Sequence, residues 1–145
     1  MGLKLAQFST GMNLPELKRT MTQEHINLYA AASGDFNPIH IDPEFARKTP
    51  LDGTIAHGML ILAYVSEFMT NSFGYSWLVG GNLNCRFKTP ARPGDILTVS
   101  GVVNTVLKES GCTIIQCDVI CQNQHREAVI ICDTKVRVKD DENSH

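Results

Sequence analysis

Apolar and polar residues alternate with a period of two through most of the C-terminal half of the chain. Leu83, Cys85 and Phe87 fall on one side of an extended segment, with Asn84, Arg86 and Lys88 on the other. Leu97, Val99, Val103 and Leu107 repeat the pattern, followed by Ile115, Cys117, Val119 and Cys121, and then by Ile130, Cys132, Thr134, Val136 and Val138. A period of two places alternate side chains on opposite faces of a pleated strand, so each run is predicted to be a half-buried strand. Pro93-Gly94-Asp95, Ser110-Gly111 and the stretch from Asn123 to Glu127 supply turn residues between them. Strands joined by such short turns pair antiparallel.

The N-terminal half carries a different pattern. Leu14 to Met21 reads as a strand, and Thr22 is placed to N-cap a helix over Gln23 to Ala32. Ser33-Gly34-Asp35 ends that helix, and Pro38 and Pro43 are expected to prevent its immediate resumption. Asp42-Pro43 reads as the N-cap and first residue of a short helix to about Lys48, and Leu51-Asp52-Gly53 as a turn. A long helix is predicted from His57 to about Phe73. Its middle, Met59 to Val65, is apolar on every side, which predicts burial all round. Strand-rich sequence follows from Ser76. One small sheet cannot cover both sides of such a helix, so further strands from the N-terminal half or a partner subunit must do so. The expected class is α+β, with one domain over residues 1–138 and a polar tail over 139–145.

Composition narrows the function. The 145 residues are 43% hydrophobic and 19% charged, enough apolar material for a real core, and the formal net charge is -2. That balance argues against nucleic-acid binding by bulk electrostatics. The longest apolar run is far shorter than the roughly 20 residues that span a bilayer, and Met1 to Thr10 lacks the layout of a secretory signal. The five Cys include no Cys-x-x-Cys, so reduced thiols in a cytoplasmic compartment are expected. Cys117 and Cys121 share a strand face at a spacing that suits packing better than metal binding, and Cys85, Cys112 and Cys132 read as buried small hydrophobes.

The densest polar cluster is Ser33-Gly34-Asp35-Phe36-Asn37-Pro38-Ile39-His40-Ile41-Asp42. Asp35 and His40, five residues apart on a proline-broken loop, can converge on one small volume. There they can hold a water and move its protons, with Asn37 bracing the loop. The plainer reading is ordinary loop chemistry, since Asx residues and proline are common in turns. A second cluster, His57-Gly58-Met59, opens the long helix. Gly58 has no side chain, so a ligand carbonyl can approach a backbone N–H at the positive end of the helix, an arrangement suited to an oxyanion. Alternatively, Gly58 merely permits close packing and His57 caps the helix. His25 and His125 stand alone and receive no role.

The run Tyr29-Ala-Ala-Ala-Ser-Gly-Asp-Phe-Asn-Pro-Ile-His-Ile-Asp42 resembles the signature of the MaoC-like, R-specific enoyl-CoA hydratases. Ile55-Ala-His-Gly-Met59 is similar to their second motif, and Arg86 to Asp95, with its Pro-x-x-Pro-Gly-Asp shape, to a third segment, in the family's order. The resemblance extends from about Leu14 to Val138. It implies a hotdog fold, an antiparallel sheet wrapped around one long helix, and a homodimer, with higher pairing left open. It implies Asp35 and His40 as the catalytic pair, Asn37 as the support of their loop, and Gly58 as the thioester-polarising N–H. His57 and Met59 join Asn37 and Gly58 as substrate-binding candidates. The implied reaction is reversible syn hydration of trans-2-enoyl-CoA, or dehydration of (R)-3-hydroxyacyl-CoA, with no cofactor and no metal. The acyl handle is CoA or acyl carrier protein, and no nucleic acid or membrane partner is expected. Arg47, Lys48, Arg86, Lys88 and Arg92 are candidates for the CoA phosphates, and the segment from Asn71 to Gly81 for a border of the acyl pocket.

Three alternatives stand beside this. A 3-hydroxyacyl-carrier-protein dehydratase would use the same site. A hotdog thioesterase would need a carboxylate on the central helix, where Glu67 is the one candidate. A non-catalytic acyl-CoA-binding module would have no need of both Asp35 and His40.

Overall fold

A computed structural model describes residues 3–140. A five-stranded antiparallel sheet curls around one long helix. Its strands are β1 (Leu17–Thr20), β2 (Gly81–Phe87), β3 (Ile96–Glu109), β4 (Cys112–Gln122) and β5 (Ala128–Lys139), in the order β1-β3-β4-β5-β2. The helices are α1 (Gln23–Ser33), α2 (Pro38–Ile41), α3 (Pro43–Arg47), α4 (Gly58–Phe73) and α5 (Tyr75–Gly80). This is the α+β hotdog architecture that the resemblance implied.

The core lies between α4 and the concave face of the sheet. Ile61, Val65, Phe68 and Met69 of α4 meet Leu97, Val99 and Val103 of β3, Ile115, Cys117, Val119 and Cys121 of β4, and Ile130, Cys132 and Val136 of β5. Gly101 on β3 makes room for this. A Cβ there would sit 3.1 Å from the Phe68 ring, so glycine lets that ring lie close on the sheet without displacement. All five cysteines are free, and all but the half-buried Cys85 are buried. Burial pushes the Cys117 thiol up to about 11 and those of Cys121 and Cys132 up to about 12, so they act as small hydrophobes.

Several expectations are corrected. Burial all round is not found for α4. Leu60, Ile61, Val65, Phe68 and Met69 are buried, but Met59 is 58% exposed, Ala63 is exposed and Leu62 only half-buried. A single sheet has one concave face to offer, and the added strand β1 lies at its edge. In β3 the expected face breaks at a bulge between Val103 and Thr105. One extra residue reverses the alternation, so Val106 packs on the core and Leu107 is 57% exposed. The first strand is shorter than Leu14 to Met21, because Pro15 has no N–H to give a ladder. The apolar run at Ser76 forms α5, not a strand, and the Trp77 indole donates to Ser66 Oγ at 3.0 Å, docking it on α4. Pro38 does not block helix formation. It occupies the first position of α2, where a missing N–H costs nothing. Of the expected tail, Lys139 belongs to β5 and the Asp140 N–H donates to Gly111 O, while residues 141–145 lie outside the described ones.

Candidate active site

The site is assembled from the chain between α1 and α4. Thr22 Oγ1 accepts from the His25 N–H to start α1, and Gly34 ends it in the left-handed conformation, φ +80°, donating to Ala30 O. The chain therefore turns sharply just before Asp35. Asp35 Oδ1 accepts from the Asn37 N–H at 3.2 Å, and Asn37 Oδ1 in turn accepts from the Ile39 N–H at 3.2 Å, which N-caps α2. Asp42 then caps α3 through the N–H groups of Glu44 and Phe45. Asn37 thus braces the loop, as expected. These two successive caps brace a short segment whose first residues are exposed.

His40 is the buried member of that segment, at 7% exposure. Its Nδ1 lies 2.7 Å from Ile55 O. A carbonyl only accepts, so Nδ1 carries the proton and the neutral ring presents its lone pair at Nε2. Nε2 lies 4.0 Å from Asp35 Oδ2, and the Asp35 side chain is 53% exposed. That separation is too long for a direct hydrogen bond and suits one water bonded to both. The Gln23 amide donates to His40 O at 2.7 Å and its carbonyl accepts from Thr54 Oγ1 at 2.7 Å, tying α1 to the site.

The second motif is interlocked with the first. The Ile55 N–H donates to Ile39 O, and the Ala56 N–H to Ala91 O. His57 occupies the N-cap position of α4, but its side chain does not cap. Its Nε2 instead donates to Asp35 O at 3.0 Å, and its ring stacks on that of His40, centroids 3.9 Å apart. At 2% exposure the His57 side chain is buried beneath the loop. Its Nδ1 is buried without a hydrogen-bond partner, a defect of roughly 1–3 kcal/mol by general experience.

Gly58 packs closely at the start of α4. A Cβ would meet Phe87 Cε1 at 2.7 Å, so any side chain here would have to push that exposed ring aside. Among the described residues, the N–H groups of Gly58 and Met59 also have no backbone or side-chain acceptor, which leaves them at the positive end of a 16-residue helix. Gly58 borders an apolar cleft of about 260 Å³ lined also by Ile55, Ala56, Ile61, Phe87, Lys88 and Val129, and neither Asp35 nor His40 is in that lining. The segment from Asn71 to Gly81 contributes nothing to this lining. A larger hollow of about 600 Å³ lies over the outer face of the sheet between Asn13, Ser100 and Asp133, and neither Asp35 nor His40 lines it.

Asp35, His40 and His57 each bring a potential metal-ligand atom to within 4.8 Å of the others. Both histidines already spend one nitrogen on a backbone carbonyl, and His57 faces inward. The arrangement suits proton handling by His40 Nε2 and Asp35. Of the basic candidates, the Arg92 guanidinium donates to Leu51 O and is partly committed to the fold. Glu67 is paired with Arg19 of β1, which occupies the carboxylate that a thioesterase would need. Gln23 and Thr54 gave no signal in sequence, and Ile55 was marked only as part of the second motif, because the role of its backbone carbonyl is not written in its side chain.

A family model described as "MaoC like domain" matches residues 7–125. The mitochondrial 3-hydroxyacyl-[acyl-carrier-protein] dehydratase of Arabidopsis thaliana is 32% identical over 115 residues, 78% of this chain and 67% of that protein. The (R)-specific enoyl-CoA hydratase of Rhodospirillum rubrum is 31% identical over 64% of this chain and 65% of its own length, and the 3-hydroxyacyl-thioester dehydratase Z of Mycobacterium tuberculosis is 39% identical over 52% of each. The chain therefore spans about half to two thirds of the length of these curated relatives. Among solved structures, the MaoC-like dehydratase of Rhodospirillum rubrum superposes with a TM-score of 0.80 at 26% identity, covering 95% of this chain and 97% of that one. The matched segment takes in both polar motifs, the long helix and the strands through β4, and on that ground the chain belongs to the MaoC-like domain family.

Proposed function

We infer that this protein is a hydro-lyase that adds water reversibly to trans-2-enoyl thioesters and removes it from (R)-3-hydroxyacyl thioesters. The observation that carries this is the tautomer-locked His40 Nε2 held 4.0 Å from Asp35 Oδ2, on a loop bonded to the N-terminus of α4. The hydratase and dehydratase names of the family relatives agree with it.

The chemistry follows from those groups. Asp35 and the free lone pair of His40 are two acceptors, so a water between them donates one O–H to each and turns its own lone pair outward. The thioester carbonyl lies against the Gly58 and Met59 N–H groups, which draw electron density from the double bond and make the β-carbon electrophilic. As the oxygen bonds to the β-carbon, His40 Nε2 takes the water proton and the π pair becomes an enolate on the thioester oxygen. The Asp35 carboxylate stabilises the imidazolium so formed. The enolate then collapses, its pair takes the proton from Nε2 at the α-carbon, and both new bonds lie on one face. Addition is therefore syn. Every step uses groups of the chain itself.

The substrate handle is CoA, with acyl carrier protein as the second reading favoured by the Arabidopsis relative's name. A homodimer is supported by the uncovered side of α4 and by the free edge of β2, where Leu83 and Cys85 are half-buried and Phe87 is exposed. Among the described residues no helix is long and apolar enough to cross a membrane, and a cytoplasmic setting fits the five free thiols. The test is purified protein with crotonyl-CoA. Loss of the enoyl-thioester absorbance without release of thiol supports hydration, and thiol release would instead establish a thioesterase.

A further inference from the structure

We propose that His57 is a positioning residue, a donor that fixes the Asp35–His40 pair and locks it to the N-terminal end of α4. The inference rests on the hydratase reading and deepens it.

The argument begins with a misfit. His57 is 2% exposed and its Nδ1 has no partner, so an apolar residue would fill the position without leaving a buried nitrogen unpaired. The other ring nitrogen gives the reason for histidine. Nε2 donates to Asp35 O, the carbonyl of the catalytic carboxylate's own residue. Since that acceptor requires a proton on Nε2, the neutral ring has its lone pair on the buried Nδ1. The same ring stacks on His40 at 3.9 Å with planes 28° apart, and the Tyr29 ring of α1 packs against it, tilted, at 4.8 Å.

Three bonds thus cross between the two motifs: His57 Nε2 to Asp35 O, His40 Nδ1 to Ile55 O, and Ile55 N to Ile39 O. Only the first reaches Asp35, whose other hydrogen bonds and ion pairs among the described residues stay within residues 33–40 of its own loop. Without His57 the carboxylate keeps its Asx turn but loses its tie to α4. Gly58 follows directly in the chain, so one residue sets both the proton-transfer pair and the start of the helix whose N–H groups face the thioester.

The test compares His57→Phe, which keeps an aromatic ring against His40 and removes the donor, with His57→Gln, whose amide places a donor near the position of Nε2. With crotonyl-CoA, His57→Phe should lose at least about thirtyfold in kcat with KM within about threefold, and with a melting temperature no lower than the parent's. His57→Gln should recover most of kcat. Phe retaining kcat within twofold overturns the proposal, as does a Gln variant as slow as Phe at equal stability. A crystal structure of His57→Phe supplies a readout that needs no activity. The proposal expects the Asp35–His40 separation to widen by more than 1 Å or Asp35 to take several conformers, and an unchanged 4.0 Å pair overturns it. If the parent protein hydrates no enoyl thioester, the hydratase reading fails, and the crystal structure still decides the role of His57.

Discussion

Two regions of this molecule keep their shape by different means. Beneath α4, Phe68, Val65, Ile115 and Ile130 are sealed from water and held by packing alone. Above it, the loop from Asp35 to Asp42 has Asp35, Phe36 and Asn37 exposed, and is held by hydrogen bonds between side chains and neighbouring backbone. Packing spreads its free energy over many weak contacts, whereas the loop depends on a few directional ones. Substitution in the first region should therefore unfold the protein and leave the chemistry of the folded fraction intact. Substitution in the second should stop the chemistry and leave the fold.

Phe68→Ala is the severest test of the packed side. It removes the largest fully buried side chain and should cost about 3–5 kcal/mol in urea denaturation, with the rate per folded molecule nearly unchanged. Asp35→Asn is its counterpart. The amide keeps the turn to Asn37, so stability should move by well under 1 kcal/mol while kcat for hydration falls by about a thousandfold. If either variant lost stability and rate together, the division between the regions would fail.

Gly58→Ala probes the seam where the regions meet. The new methyl group meets the exposed Phe87 ring and should destabilise by about 1 kcal/mol. Adding Phe87→Ala should recover most of that loss, so a double-mutant cycle should show coupling between the two positions. The smallest effect concerns the sheet thiols. Unfolded cysteines release protons near pH 9, whereas folded Cys117 holds its proton to about 11 and Cys121 and Cys132 to about 12. Above pH 9 the folded state binds more protons than the unfolded one, so stability should fall as pH rises toward 11–12. Urea midpoints at pH 8 and pH 10.5 would show it, and Cys121→Ala should flatten the slope.

The same contrast decides what could be read from sequence. The strands were legible because a sheet face reports itself by alternation, and the faces of β4 and β5 match residue for residue. Alternation fails where one residue shifts phase, at the bulge near Asn104, and where a short apolar run suits a helix as well as a strand, at Ser76 to Gly80. The candidate site was legible through the motifs and their order: taken singly, Asp35, Asn37, His40 and Gly58 read equally as loop chemistry and close packing, and the family resemblance singled them out. What the backbone does was not, since nothing in the letters states that Ile55 O fixes the His40 tautomer or that the His57 side chain turns away from the cleft.

The most direct test of the proton path is hydration of crotonyl-CoA in deuterium oxide, with the product resolved for chirality and for deuterium at the α-carbon. Water and proton delivered from one Asp35–His40 pair must reach the same face of the double bond. The account predicts an (R)-3-hydroxybutyryl thioester with one α-deuteron placed syn to the hydroxyl group, formed about a thousandfold more slowly by Asp35→Asn. An (S) product, an anti-placed deuteron, or free thiol in place of the hydroxyacyl thioester would contradict it.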